Sequence, residues 1–162
     1  MRNVLLYGFF YALAVLLWAV LEFAIGLQGE YIRHHEKFSY FFALPAVALL
    51  YQAFKTYSAT QETPLTWIRL LKFGLAVILV ATLLLPGVWY VFCHWIHPEF
   101  LPNLREYYLN LRSIKIAQLN ERLTFSNFLL AQMLSTFVAG TLIVLVLSII
   151  GHTSNRTTQA LS

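Results

Sequence analysis

The side chains able to do chemistry crowd into one stretch. Residues 21–38, LEFAIGLQGEYIRHHEKF, hold Glu22, Glu30, Arg33, His34, His35, Glu36 and Lys37 between two long apolar runs. A second group, Tyr90, Cys93, His94, His97 and Glu99, closes a later apolar run, and Gln132 is the strong hydrogen-bonding side chain of the last. Three chemistries are open to such a set. A carboxylate inside lipid can hold a proton or a cation, and intramembrane carboxylates are by default functional suspects. It can instead serve as an internal hydrogen-bond acceptor, for which Gln132, His94 and Tyr90 are the expected partners of Glu22. Third, His34, His35, His94 and His97 could hold a transition metal through imidazole nitrogen, with carboxylate oxygen beside them. His94 and His97, at i and i+3, would share one face of an α-helix. Four histidines spread over two helix ends are not a ligand motif by spacing, so no cofactor is predicted.

These residues need elements to position them, and the composition says what kind. Of the 162 residues, 59% are hydrophobic and 11% charged, with mean hydropathy +0.67. Soluble domains carry about 25% charged residues, so this chain lacks a water-compatible surface. Lipid is the expected solvent, and the 16% aromatic share suits interfacial belts. The net charge is +4, but the basic residues fall between apolar runs rather than on one soluble face, which argues against a nucleic-acid partner. The single cysteine, Cys93, excludes an intrachain disulfide. All acids are Glu, and no Gly-rich phosphate loop or GxSxG elbow occurs.

Four spans are predicted, over residues 4–27, 38–57, 73–96 and 125–150, within one membrane domain, 1–152, followed by a flexible polar tail, 153–162. The first run is too long for a signal-peptide core of about 7–15 residues. At 1.5 Å rise per residue it spans roughly 36 Å, against a hydrocarbon core of about 30 Å. Along it, Gly8, Ala12, Val15, Ala19, Glu22 and Gly26 recur at steps of four and three, which puts Glu22 on a small-residue face suited to helix packing in lipid. The plainer alternative is that Glu22, about five residues or roughly 8 Å from the helix end, snorkels to the interface. Ala131, Ser135 and Ala139 make a second small-residue stripe in the last span.

Pro45 should bend the start of the second span, and Pro86 with Gly87 should kink the third. Thr63 and Pro64 suit a helix start, and residues 65–72 an interfacial piece anchored by Trp67, Arg69 and Lys72. Residues 98–124 read as an amphipathic surface helix, with Leu104, Tyr107, Leu111, Ile114 and Ala117 as its stripe and Arg105, Arg112, Lys115 and Arg122 outside it. The halves do not repeat as inverted copies, which weakens a transporter reading. Asn155, Arg156 and Thr157 form a sequon of little weight beside a membrane.

Four spans put both termini on one side. That side holds Arg2, Lys55, Arg69, Lys72 and Arg156; the other holds Arg33, Lys37, Arg105, Arg112, Lys115 and Arg122. The count is nearly balanced, and cytoplasmic termini are chosen for Arg2 and the Arg69/Lys72 pair.

Several residues carry a resemblance. Leu21, Glu22, Gly26 and Leu27, then Glu30, Tyr31, Ile32 and His34, then Phe41-Phe42-Ala43-Leu44-Pro45-Ala46 resemble the first hairpin of a four-helix bacterial membrane family known as domain of unknown function 4199. Gly74 and Pro98-Glu99-Phe100 are similar too. Gln28 stands where that family's GLH would place a histidine. The resemblance implies a small integral inner-membrane protein of Gram-negative bacteria, and it implies no activity and no catalytic residue.

Together these readings lead to an all-α integral membrane protein, a four-helix bundle with an amphipathic connection. The leading expectation for its function is a structural or accessory subunit that associates, beside lipid, with another membrane protein or with itself. The alternatives are a small transport protein with Glu22 as proton or cation site, and a membrane metal or redox protein using the four histidines. An enzymatic role is not the leading expectation.

Overall fold

The structure, a computed structural model, describes residues 1–61, 66–110 and 123–160, with side chains described to residue 151. The described residues form helices and turns, with no strand among them. The helices are α1 (Arg2–Ala24), α2 (His35–Ser39), α3 (Ala43–Ala59), α4 (Trp67–Val91), α5 (Phe100–Asn110) and α6 (Phe125–Ala160). Among the described residues four helical segments are long and apolar enough to cross a membrane: Arg2–Ala24, Ile32–Ala59, Trp67–Ile96 and Phe125–Gly151. Hydrocarbon offers no partner for a free N–H or C=O, so only segments that bond their own backbone can cross it. The protein is an all-α, multi-pass membrane protein built on these four helices.

The third span is the centre of the bundle. Helix α4 packs against α1, α3 and α6. Its buried residues, Leu70, Phe73, Val77, Ile78, Ala81 and Leu85, recur at three- and four-residue steps. Burial of apolar surface drives nothing in lipid, so close backbone approach must supply dispersion contacts instead. Gly74 shows how close: a Cβ there would lie 2.6 Å from Val144 Cγ1 on α6 and 2.8 Å from Phe54 Cε1 on α3. On α1 the buried residues are Gly8, Tyr11, Ala12, Ala19 and Glu22.

Two apolar clusters fill the interior. One, toward the termini, gathers Tyr11, Leu50, Phe54, Phe73, Ile78 and Val144. The other, toward the 25–31 turn, gathers Trp89, Phe92, Phe100, Leu104 and Phe128 with Ala19.

Several boundaries differ from the sequence reading, each for a local reason. Helix α1 stops at Ala24 instead of 27, because Gly26 takes φ 78 and reverses the chain; Gly26 therefore makes a turn and is not on a helix face. The second span begins earlier, at Ile32, as a 3₁₀ turn (Ile32–His34), α2, a second 3₁₀ turn (Tyr40–Phe42) and α3. Pro45 sits in the first turn of α3, where its missing N–H follows that second 3₁₀ turn. The expected interfacial piece and third span are one helix from Trp67, which continues through Pro86 and Gly87; the departure from α geometry comes later, as a π turn at Phe92–Ile96.

In α6 the expected stripe of Ala131, Ser135 and Ala139 is exposed, and Gly140, Val144 and Ser148 are buried in its place. Ile78 of α4 fills the space over Gly140, which fixes that rotation. Helix α6 also runs on to Ala160, so the segment expected as a loose tail is helical over residues 153–160. Of the expected amphipathic connection, α5 buries Phe100 and Leu104. Leu111, Arg112, Ile114, Lys115, Ala117 and Arg122, like Thr63 and Pro64, lie outside the described residues.

Candidate functional site

Glu22 is the one buried carboxylate among the described residues, with 3% of its surface exposed. It lies in the last turns of α1, on the inward face, and the turn that follows folds the chain back beneath it. Gly26 N–H donates to the Phe23 carbonyl at 3.0 Å, Leu27 N–H to the Glu22 carbonyl at 2.9 Å, and Tyr31 N–H to the Gly26 carbonyl at 3.0 Å. This reversal buries Gln28, which is 1% exposed.

Four side chains converge on the carboxylate. Trp18 Nε1 donates to Oε1 at 2.9 Å, and Ser39 Oγ donates to the same oxygen at 2.7 Å. Gln28 Nε2 donates to Oε2 at 3.3 Å and also to the Ala19 carbonyl at 3.2 Å. His35 Nδ1 stands 3.3 Å from Oε2, close by but outside hydrogen-bond geometry. A carboxylate offers about four lone-pair positions. Each oxygen of Glu22 has two polar neighbours, three of the four in hydrogen-bond geometry, so the chain itself surrounds the acceptor. A buried carboxylate is tolerable only when paired and hydrogen-bonded in this way.

Packing holds the donors in place. The Trp18 ring stacks on Phe38, with centroids 5.3 Å apart and planes at 20°. The single Ser39 hydroxyl proton, directed at Glu22, is shared with the His35 carbonyl at 3.0 Å. On the other flank α5 closes the cluster. Asn103 Nδ2 donates to the Gln28 carbonyl at 3.2 Å. Phe100, 1% exposed, inserts among His35, Trp89, Phe92, His97 and Phe128, with ring centroids 5.5–6.2 Å away. At the outer end of α5, the Tyr108 hydroxyl donates to Glu36 Oε1. Burial first, then the hydrogen bond to the Glu36 carboxylate, pushes the Tyr108 phenol above its ordinary range.

The residues singled out in the sequence therefore divide. His35 joins Glu22. Glu30 and His34 are exposed, and His34 accepts from Arg33 Nε at 2.9 Å. His94 is exposed, stacked on Tyr90 at 4.3 Å, with Nδ1 3.1 Å from the Tyr90 carbonyl. Gln132 is half-buried on α6 and makes none of the contacts to Glu22. Among the described residues, the polar neighbours of Glu22 all come from positions 18–39 and not from His94, Tyr90 or Gln132.

The histidines also part company. The π turn at Phe92–Ile96 widens the helix by a residue, so His94 points outward while His97 turns in and stacks on Phe23 at 4.4 Å. Cys93 is buried. Among the described residues no group of three or more His, Cys, Asp or Glu is arranged to hold a metal ion. Trp18, Gln28 and Ser39 were not picked out as partners of Glu22. Trp18 lies one helical turn before Glu22, a spacing that could have revealed it. Gln28 and Ser39 depend on the turn at Gly26, which helical periodicity does not encode.

Comparison with known proteins places the chain in a family. No curated protein and no solved structure matches the chain. A family model, Protein of unknown function (DUF4199), matches residues 6–151, from the first turns of α1 to Gly151 in α6. With nearly the whole bundle covered, the chain belongs to the DUF4199 family.

Proposed function

We propose that this protein is a structural or accessory subunit of the bacterial inner membrane, with both termini cytoplasmic, that associates with other membrane proteins. The observation that carries the reading is the enclosure of Glu22 by its own chain. Its two oxygens accept from Trp18, Ser39 and Gln28, with His35 alongside. A carboxylate that shuttles a proton or cation needs a free acceptor position and a path to it. Glu22 is built instead as a fastening between α1 and the start of the second span.

The surface of α6 supports the same reading. It turns Ala131, Ser135 and Ala139 away from its own bundle, among exposed Leu134, Val138 and Leu142. Small residues on an outward face leave room for the backbone of another helix. Helix α5 extends the proposal: it lies along the membrane surface, with Asn103 on its inward face against the turn at 25–31.

The test is native mass spectrometry of the endogenous protein, released in a mild detergent. A second polypeptide at fixed ratio is the expected result. Recovery only as a bare monomer overturns the proposal. The transport reading is checked in parallel by reconstituted flux in wild type and Glu22→Gln: flux that disappears in the variant would replace the structural role by transport.

A further inference from the structure

The charges of this protein are unevenly divided between its two ends. Among the described residues, the terminal end holds Arg2, Lys55, Arg69 and Lys72 and no acid. The other end holds Arg33, Lys37 and Arg105 together with Glu22, Glu30, Glu36, Glu99 and Glu106. Among the described residues the positive charge therefore gathers at the terminal end.

The structure sets these cations at one level. Tyr57 of α3 stacks face to face on Phe73 of α4, with centroids 4.1 Å apart and planes at 2°. Lys55 precedes Tyr57 by two residues and Lys72 precedes Phe73 by one, so the stack holds both lysines within about one helical turn of the same depth. The Tyr7 hydroxyl and Thr56 Oγ1, 2.8 Å apart, tie α1 to the same level, with Arg2 about one and a half turns further out. Arg2, Lys55 and Lys72 are exposed; Arg69, also exposed and already engaged in a contact within the chain, lies less than one turn before Lys72. Exposed Trp67 and Tyr51 flank them as interfacial aromatics.

We propose that this end is a binding collar for anionic phospholipid headgroups. A cation at a membrane surface is drawn to an anionic leaflet, and the attraction sums over neighbouring cations. Carboxylates beside the cations would cancel it, which is why the opposite end, with its glutamates, does not compete. The aliphatic stems of Lys55 and Lys72 are long enough to cover apolar helix surface and still present their ammonium groups to a phosphate layer.

The test uses the full chain in nanodiscs of phosphatidylcholine containing a minority of phosphatidylglycerol, with retained lipids counted by native mass spectrometry. The wild type should retain phosphatidylglycerol in excess of its share, and added salt should erode the excess. The pair Lys55→Gln and Lys72→Gln should cut the preference roughly thirty-fold. The pair Arg33→Gln and Lys37→Gln, at the other end, should leave it in place. Lys55→Arg with Lys72→Arg should keep the preference and shows that charge, not lysine packing, is responsible. No excess in the wild type, an excess indifferent to salt, or equal losses from both glutamine pairs overturns the proposal.

Discussion

The Ser39 hydroxyl donates to the Glu22 carboxylate at 2.7 Å, joining residues 17 positions apart. That bond connects α1 to α2 across the turn at residues 25–31. It makes the first hairpin a fastened unit rather than two helices that merely lie together.

Removing the acceptor should be costly. Glu22→Ala leaves the Trp18, Gln28, Ser39 and His35 groups without their shared partner. Loss of one member of a buried paired network costs about 3 kcal/mol or more. Ser39→Ala removes one donor and should cost about 1 kcal/mol. Reversible unfolding in mixed detergent and dodecyl sulfate micelles measures both. A Glu22→Ala variant as stable as wild type would mean that the network is not a fastening.

Two glycines of α4 should respond in opposite ways. At Gly74 a methyl group meets Val144 and Phe54 below 3 Å, so Gly74→Ala should destabilise by about 1–3 kcal/mol. At Gly87 nothing lies within 4 Å, so Gly87→Ala should be neutral or stabilise by up to about 1 kcal/mol. The same unfolding assay compares them, and equal effects would contradict the packing described here.

Phe100 should be the anchor of α5. Phe100→Ala empties the space among Trp89, Phe92 and Phe128 and should cost about 3–5 kcal/mol. Amide hydrogen exchange across α5 should rise sharply in the variant, while α4 stays protected.

The contact of Tyr108 with Glu36 should depend on alkaline pH. The folded-state phenol is raised above its ordinary value of 10.0. A group raised on folding adds stability that is fully present below its unfolded value and is lost as pH climbs toward the folded one. The outer end of α5 should therefore hold at neutral pH and loosen well above pH 10.0. Hydrogen exchange of residues 100–110 against pH reads this directly. In Tyr108→Phe the alkaline step should vanish.

The architecture was legible in the sequence because lipid demands apolar length, and four runs supply it. The inward position of Glu22 was legible too, since it shares a helix face with Gly8, Ala12 and Ala19. Its partners were not. Helical spacing describes what lies along one helix, and the meeting of helix ends at one membrane face pointed across the bundle to Gln132, His94 and Tyr90. The turn at Gly26 brings Gln28 and Ser39 in from the adjoining chain instead.

His94 and His97 misled for a related reason. Their i, i+3 spacing presumes α geometry, and the π turn between Val91 and His97 separates them. In α6 two small-residue stripes compete, one through Ala131, Ser135 and Ala139 and one through Gly140, Val144 and Ser148. Lipid-facing and bundle-facing surfaces are equally apolar there, so hydropathy cannot choose between them.

The confinement of Glu22's polar contacts to residues 18–39 bears on how the chain enters the membrane. Spans are made in order from the amino terminus, and α4, which holds the bundle together, is the third. A carboxylate waiting for a partner on α4 or α6 would sit unpaired in lipid while those helices were still being synthesised. Because Trp18, Gln28, His35 and Ser39 all emerge with the first hairpin, Glu22 is satisfied before the bundle's central helix exists. The hairpin can be handed to the bilayer as a finished piece, and the later helices assemble around it.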